Sequence, residues 1–117
     1  MRRADTQWLN DVLNAITAIE RHLKRGPLSD PLVFDAVRVR LIEIGEAVSH
    51  VDQRLLNQEP KIDWRAIKDM RNHLAHNYFG TDELIVAEVI NYGLGALATA
   101  VNRILGGQRQ FEGAGYV

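Results

Sequence analysis

Residues 71–78 read Arg-Asn-His-Leu-Ala-His-Asn-Tyr and set a permanent cation, two imidazoles and a phenol within about two helical turns. A guanidinium presents a planar fork of donors that fits a pair of phosphate oxygens. An imidazole, with an ordinary pKa near ~6.5, exchanges a proton at cellular pH. Together these groups suit metal-free cleavage of an RNA phosphodiester. A base takes the proton of a ribose 2′-OH, the oxygen attacks the adjacent phosphorus, and an acid protonates the departing 5′-oxygen. In that scheme His76 is the candidate acid–base, and Arg71 neutralises the charge that builds on the non-bridging oxygens. Asn77 could orient the phosphate or the ribose, and Tyr78 could donate a hydrogen bond. DNA lacks the 2′-OH nucleophile and would be spared. His73 and His76 stand at i, i+3, but residues 71–78 contain no carboxylate or cysteine to complete a metal site. No metal and no other cofactor is expected.

The spacing sets a difficulty. At ~100° per residue, His76 lies about 140° round a regular helix from Arg71, while Tyr78 returns to within about 20° of it. Arg71 and His76 therefore converge only if the helix loosens towards Gly80, or if two copies of the segment meet across a dimer and share one cleft. The same residue types also make ordinary surface ion pairs and helix caps, and His76 near a helix C-terminus is favoured by the dipole whatever its role.

The elements that must position this segment are helical throughout, with no strand alternation. Leu9, Val12, Ile16, Ile19 and Leu23 recur at steps of three and four, with Asp5 or Thr6 to cap the start and Gly26-Pro27 to end the helix. Phe34, Val37, Leu41, Ile44, Val48, Val51 and Leu55 form an unbroken stripe behind a cap at Ser29 or Asp30, predicting one helix over about 30–57. Asp63 can cap a shorter helix that turns Trp64, Ile67, Met70 and Leu74 inward and carries Arg71 and His76. A last helix is expected over about 82–105 through Val86, Ile90, Leu94, Leu97, Val101 and Ile104, with Gly93 and Gly95 inside it. The expected architecture is all-α: an up-and-down four-helix bundle with an additional short helix over residues 1–105, followed by a loose glycine-rich tail at 106–117. The long second helix outreaches its neighbours, so homodimerisation through its apolar stripe is expected.

The overall charge excludes one class of binder. Fourteen Lys+Arg against fifteen Asp+Glu give a net charge of −1, so no global basic field draws in nucleic acid. RNA contact must then be local, and Lys68, one turn ahead of Arg71, is the candidate for it. Glu46 is a candidate carboxylate to orient Arg71 or His76, whereas Glu43 fits a solvent-exposed position. There is no cysteine, no apolar run of signal-peptide length at the start and no stretch of ~20 apolar residues. A cytoplasmic location without membrane attachment is the expectation.

Arg71-Asn72-His73-Leu74-Ala75-His76-Asn77-Tyr78-Phe79 resembles the Arg-x4-6-His signature of the HEPN superfamily, and more narrowly the Arg-x4-His-x-Tyr motif of the HepT-like toxins. Ile44-Gly45-Glu46-Ala47 is similar to a tetrad that recurs in that family. Ile62-Asp63-Trp64, with Ile67 and Met70 behind it, is similar to the family's lead-in to the arginine, and the order of helices agrees over about 5–105. The resemblance implies a homodimeric, metal-independent endoribonuclease toxin with Arg71 and His76 as its catalytic pair and Asn77 as the polar residue between His76 and Tyr78. It also implies a partner, a minimal nucleotidyltransferase antitoxin that silences the toxin by transferring AMP to Tyr78. AMP on the phenol adds bulk and negative charge beside a phosphate site. His73 lies in the variable stretch and gains no role from the resemblance, so it stays a supporting polar residue. The alternative is a non-catalytic HEPN scaffold for a nucleotidyltransferase, which binds without cleaving.

Overall fold

Three aspartates start three of the helices. Asp30 accepts the amide of Leu32 at 2.9 Å and opens α2 (Pro31–His50), whose first residue is a proline with no N–H to leave unpaired. Asp52 accepts the amide of Arg54 at 2.9 Å and opens the short α3 (Gln53–Leu56). Asp63 accepts the amide of Ala66 at 3.0 Å and opens α4 (Trp64–Ala75). Ahead of them α1 (Arg3–Arg25) ends at Gly26, and after them come α5 (Thr81–Tyr92) and α6 (Leu94–Gly113). This computed structural model describes residues 1–76 and 81–113, with the backbone alone for 81–82 and 107–113.

The described chain is an all-α up-and-down bundle. Its four arms are α1, α2, α4 and the α5–α6 pair, and α3 is the additional short helix. α2 packs against both α1 and α4, while α6 closes on α1. Leu9, Val12 and Ile19 of α1 meet Val37, Leu41, Ile44 and Val48 of α2 in the fully buried core, with Leu74 of α4 and Val86, Val101 and Ile104 completing it. Trp64 begins α4 by donating its indole N–H to the carbonyls of Leu56 and Glu59, at 2.9 and 3.1 Å. That anchors the helix carrying Arg71 to the turn before it.

The single helix expected over 30–57 is two helices. The chain turns extended at Val51, with φ −76° and ψ 140°, and restarts at Asp52. The cause is tertiary. Asp5, only 1% exposed, sits at the third position of α1 and accepts the Asp52 amide at 3.0 Å, drawing the chain out of the helix. Asp5 also accepts the Arg2 side chain at 2.8 and 2.9 Å and its backbone amide at 3.3 Å, so it caps α1 from inside the first turn. With the continuous helix gone, so is the overhang on which self-packing of α2 was expected: Val51 and Leu55 are buried within one chain. The last expected helix is likewise two, with a 59° bend between α5 and α6 at Gly93. Helical backbone then continues to Gly113, eight residues into the segment expected to be a loose tail. The run Gln108–Glu112 between its glycines is of residues compatible with a helix. Among the described residues no single helix is long and apolar enough to cross a membrane.

Asp5 carries a testable acid dependence. The Arg2 hydrogen bond chiefly, against the opposing effect of burial, holds its carboxyl at about 2 instead of the ordinary 3.8. A carboxyl depressed on folding stabilises the folded state above its unfolded pKa, and that contribution is lost as pH falls through the range from about 4 to about 2. Since Arg2 is solvent-exposed and its attraction screened, the contribution at pH 7 is on the order of 1–2 kcal/mol. Asp5→Asn should lower the stability measured by urea melts by that amount at pH 7, and the gap to wild type should narrow from about pH 4 and close only below about pH 2. A gap that persisted unchanged in acid would assign the loss to packing and not to the charge.

Candidate active site

The site is built where α2 and α4 come closest. Gly45 is the single glycine of α2, and a Cβ placed on it would lie 2.8 Å from Arg71 Cβ and 3.0 Å from the Ile67 carbonyl oxygen. Only a residue without a side chain lets the α4 backbone lie so near. That approach sets Arg71 against the next residue of α2. Arg71 Nη1 donates to Glu46 Oε2 at 2.5 Å and reaches Ser49 Oγ at 3.4 Å. A second arginine crosses in the other direction: Arg38 of α2 donates Nη2 to the carbonyl of Leu74 in the last turn of α4. The two contacts tie the last turns of α4 to α2.

Glu46 is the hub. Its Oε1 meets His50 Nε2 at 2.9 Å, so one carboxylate bridges an imidazole and a guanidinium. The His50 hydrogen bond first, and the Arg71 hydrogen bond next, hold its carboxyl below the usual carboxylate range. His50 in turn stacks on Trp8 of α1, ring centroids 4.5 Å apart and planes at 15°. Glu43 pairs instead with Arg40 at 3.1 Å on the exposed face, as its position suggested.

The remaining candidates are placed as follows. His76 is the C-cap of α4, with φ −92° and ψ −1°, and its exposed ring holds Nδ1 2.7 Å from the carbonyl of Asn72. A carbonyl only accepts, so Nδ1 carries the proton in this contact, and in the neutral ring Nε2 carries the lone pair. Arg71 turns onto α2, while His76 hydrogen-bonds back to α4. His73 faces another way, into an apolar groove of about 670 Å³ between α4 and the α5–α6 bend, lined among others by Met70, Val89 and Leu97. Lys68 is half-buried and donates Nζ to Gln53 of α3 at 3.1 Å. Asn77 and Tyr78 lie outside the described residues. Among the described residues, no three of His, Asp and Glu gather as metal ligands would.

Sequence reasoning reached Glu46 but missed Gly45, Arg38, His50 and Trp8. Gly45 carried a readable signal, since a glycine in mid-helix costs about 1 kcal/mol relative to alanine and persists where a neighbour comes close. The Glu46–His50 spacing of four was also legible. The Trp8 stack and the Arg38 contact join distant segments, and nothing in their local sequence announces them.

The all-helical bundle, with an Arg-x4-His pair at the end of its short fourth helix, is HEPN-like. A family model described as "Ribonuclease HepT-like" matches residues 12–104. The chain belongs to the HepT-like ribonuclease family. It is 29% identical over 101 residues to a Thermococcus cleftensis protein named "Probable ribonuclease HepT", covering 83% of this chain and 92% of the relative. It is 34% identical over 102 residues to a Methanocaldococcus jannaschii protein named "Putative RNase MJ1216", covering 84% of each. A second protein of that organism, named "Gamma-glutamylcyclotransferase and putative RNase MJ0434", is 28% identical over 109 residues, which span 90% of this chain and 49% of the relative. No solved structure gives a significant match.

Proposed function

We propose that this chain is a metal-independent endoribonuclease that cleaves RNA by attack of a ribose 2′-OH, and that it acts as the toxin of a pair whose antitoxin is a minimal nucleotidyltransferase. The observation that carries this reading is the way Arg71 is held. Glu46 and Ser49 both engage Nη1, so the Nη2 and Nε edge of the same guanidinium is presented as a ready-made fork for a phosphate. The family membership and the intact Arg-x4-His spacing supply the rest.

In the reaction, His76 Nε2 takes the 2′-OH proton as the oxygen bonds to phosphorus. Arg71 holds the non-bridging oxygens as charge develops on them. The 5′-oxygen leaves with a proton from a second histidine, giving a 2′,3′-cyclic phosphate and a 5′-OH. Five residues on one helix keep Arg71 and His76 about 140° apart, so a second copy of the chain completes the site and brings the second histidine. Lys68, one turn before Arg71, adds a cation for the RNA backbone, and Asn77 orients the phosphate or the ribose. AMP on Tyr78, two residues past His76, blocks the site by bulk and charge.

A short RNA incubated with the protein in EDTA should yield fragments ending in 2′,3′-cyclic phosphate, and a substrate with a single 2′-deoxy residue at the scissile position should survive. Cleavage of the deoxy substrate, or loss of all cleavage in EDTA, would refute the mechanism. Incubation with the cognate nucleotidyltransferase and ATP should add AMP to wild type and not to Tyr78→Phe. The second reading, a non-catalytic scaffold, draws on the tie between Arg71 and Glu46, which already occupies one nitrogen of the guanidinium; it expects the RNA to remain intact.

A further inference from the structure

Glu46 has two carboxylate oxygens, and they serve different partners. Oε2 takes Arg71 Nη1, and Oε1 takes His50 Nε2. A carboxylate next to an arginine frequently pairs through both oxygens with two nitrogens of the fork, as Asp52 does with Arg54 in this chain. Here the second oxygen is already committed to His50, and the His50 ring is set by its stack on Trp8. The carboxylate therefore consumes one guanidinium nitrogen where it would otherwise consume two. A carboxylate only accepts, so His50 Nε2 carries the proton in this contact.

We propose that His50, braced by Trp8, is a positioning residue that keeps the Glu46–Arg71 pair monodentate and thereby reserves the second edge of Arg71 for a phosphate. This rests on the reading of Arg71 as a phosphate clamp. The arrangement joins three helices: Trp8 on α1 sets His50 on α2, His50 sets Glu46, and Glu46 sets Arg71 on α4. Without His50, Glu46 turns both oxygens onto Arg71 and competes with the phosphate that Arg71 must hold. His50 is exposed, so replacing it disturbs little of the core, whereas Trp8 is half-buried and packs against the core, so its loss is judged against Trp8→Phe, which keeps most of that packing.

The test reads the Arg71 Nε–H signal of 15N-labelled protein, identified by its loss in Arg71→Lys, during titration with inorganic phosphate. Wild type should show a saturable shift. His50→Ala should weaken that binding by about 5- to 10-fold while thermal melting stays close to wild type. His50→Gln, whose amide can donate to Glu46 Oε1, should restore most of it; Trp8→Ala should weaken binding and Trp8→Phe, which keeps a stacking ring, should not. In a Glu46→Gln background, His50→Ala should have no further effect, because its action passes through that carboxylate. With RNA as substrate, His50→Ala should raise KM and leave kcat nearly unchanged. Phosphate binding by His50→Ala equal to wild type, or a loss that persists in the Glu46→Gln background, overturns the proposal. No phosphate response in wild type overturns the clamp itself, and the proposal with it. A response in wild type without RNA cleavage leaves the positioning role supported and sinks only the nuclease reading.

Discussion

Alanine at His76 should lower RNA cleavage by about 10²–10⁴-fold, the range that removal of a positioned acid–base group produces. The fold should hardly notice. His76 is exposed at the C-cap of α4, outside the buried core, and its ring bonds back to the carbonyl of the exposed Asn72. Truncating an exposed side chain at a helix end typically changes stability by no more than about 0.5 kcal/mol. A large fall in rate beside a small change in melting is what separates a chemical group from a structural one. Arg71→Ala should be equally inactive. Arg71→Lys should not rescue it, because an ammonium cannot hold Glu46 on one edge and a phosphate on the other. Cleavage products should be quantified on denaturing gels, with growth arrest on induced expression read in parallel. Retention of half the wild-type rate in His76→Ala would remove the acid–base assignment and leave the scaffold reading in its place.

The fold was legible wherever a local signal decided it. Asp30-Pro31 and Asp63 start their helices as their sequence contexts predict, and Gly26-Pro27 ends α1. The apolar periodicity located nearly every fully buried side chain of the core. What periodicity could not register was interruption by a partner elsewhere in the chain. The stripe of α2 continues through Val51 to Leu55, yet the helix stops because a buried carboxylate 47 residues away takes the Asp52 amide. The bend at Gly93 is the opposite case, a break that glycine permits without prescribing. At the site, Arg71 and Glu46 were recognised as candidates from motif and tetrad, and their contact across 25 residues is present. The convergence of Arg71 and His76 was in doubt on a helical wheel, and in the structure the two take different partners, Arg71 the Glu46 carboxylate and His76 the Asn72 carbonyl. The Trp8–His50 stack was beyond reach, because an aromatic on one helix and a histidine on another share no pattern until the packing brings them together.

Gly45→Ala should damage the site from a position that makes no contact with substrate. The new Cβ would lie 2.8 Å from Arg71 Cβ, 3.0 Å from the Ile67 carbonyl oxygen and 3.4 Å from Arg71 Cα. Two of those three atoms are backbone and cannot rotate aside, so α4 must move off α2. Overpacking of this kind costs about 1–3 kcal/mol, set against up to about 1 kcal/mol regained from alanine's better helix propensity. A net loss of about 1–2 kcal/mol should appear in the urea midpoint. The effect on activity should be larger, because the contact being opened is the one that seats Arg71 on Glu46. A displacement of about 1 Å in a positioning group costs on the order of 10²-fold in rate. Gly95→Ala provides the contrast: its Cβ meets nothing within 4 Å, so the same substitution on α6 should gain a few tenths to about 1 kcal/mol and leave cleavage unchanged. If Gly45→Ala proved as stable and as active as Gly95→Ala, the close approach of α2 and α4 would not be what holds Arg71 in place.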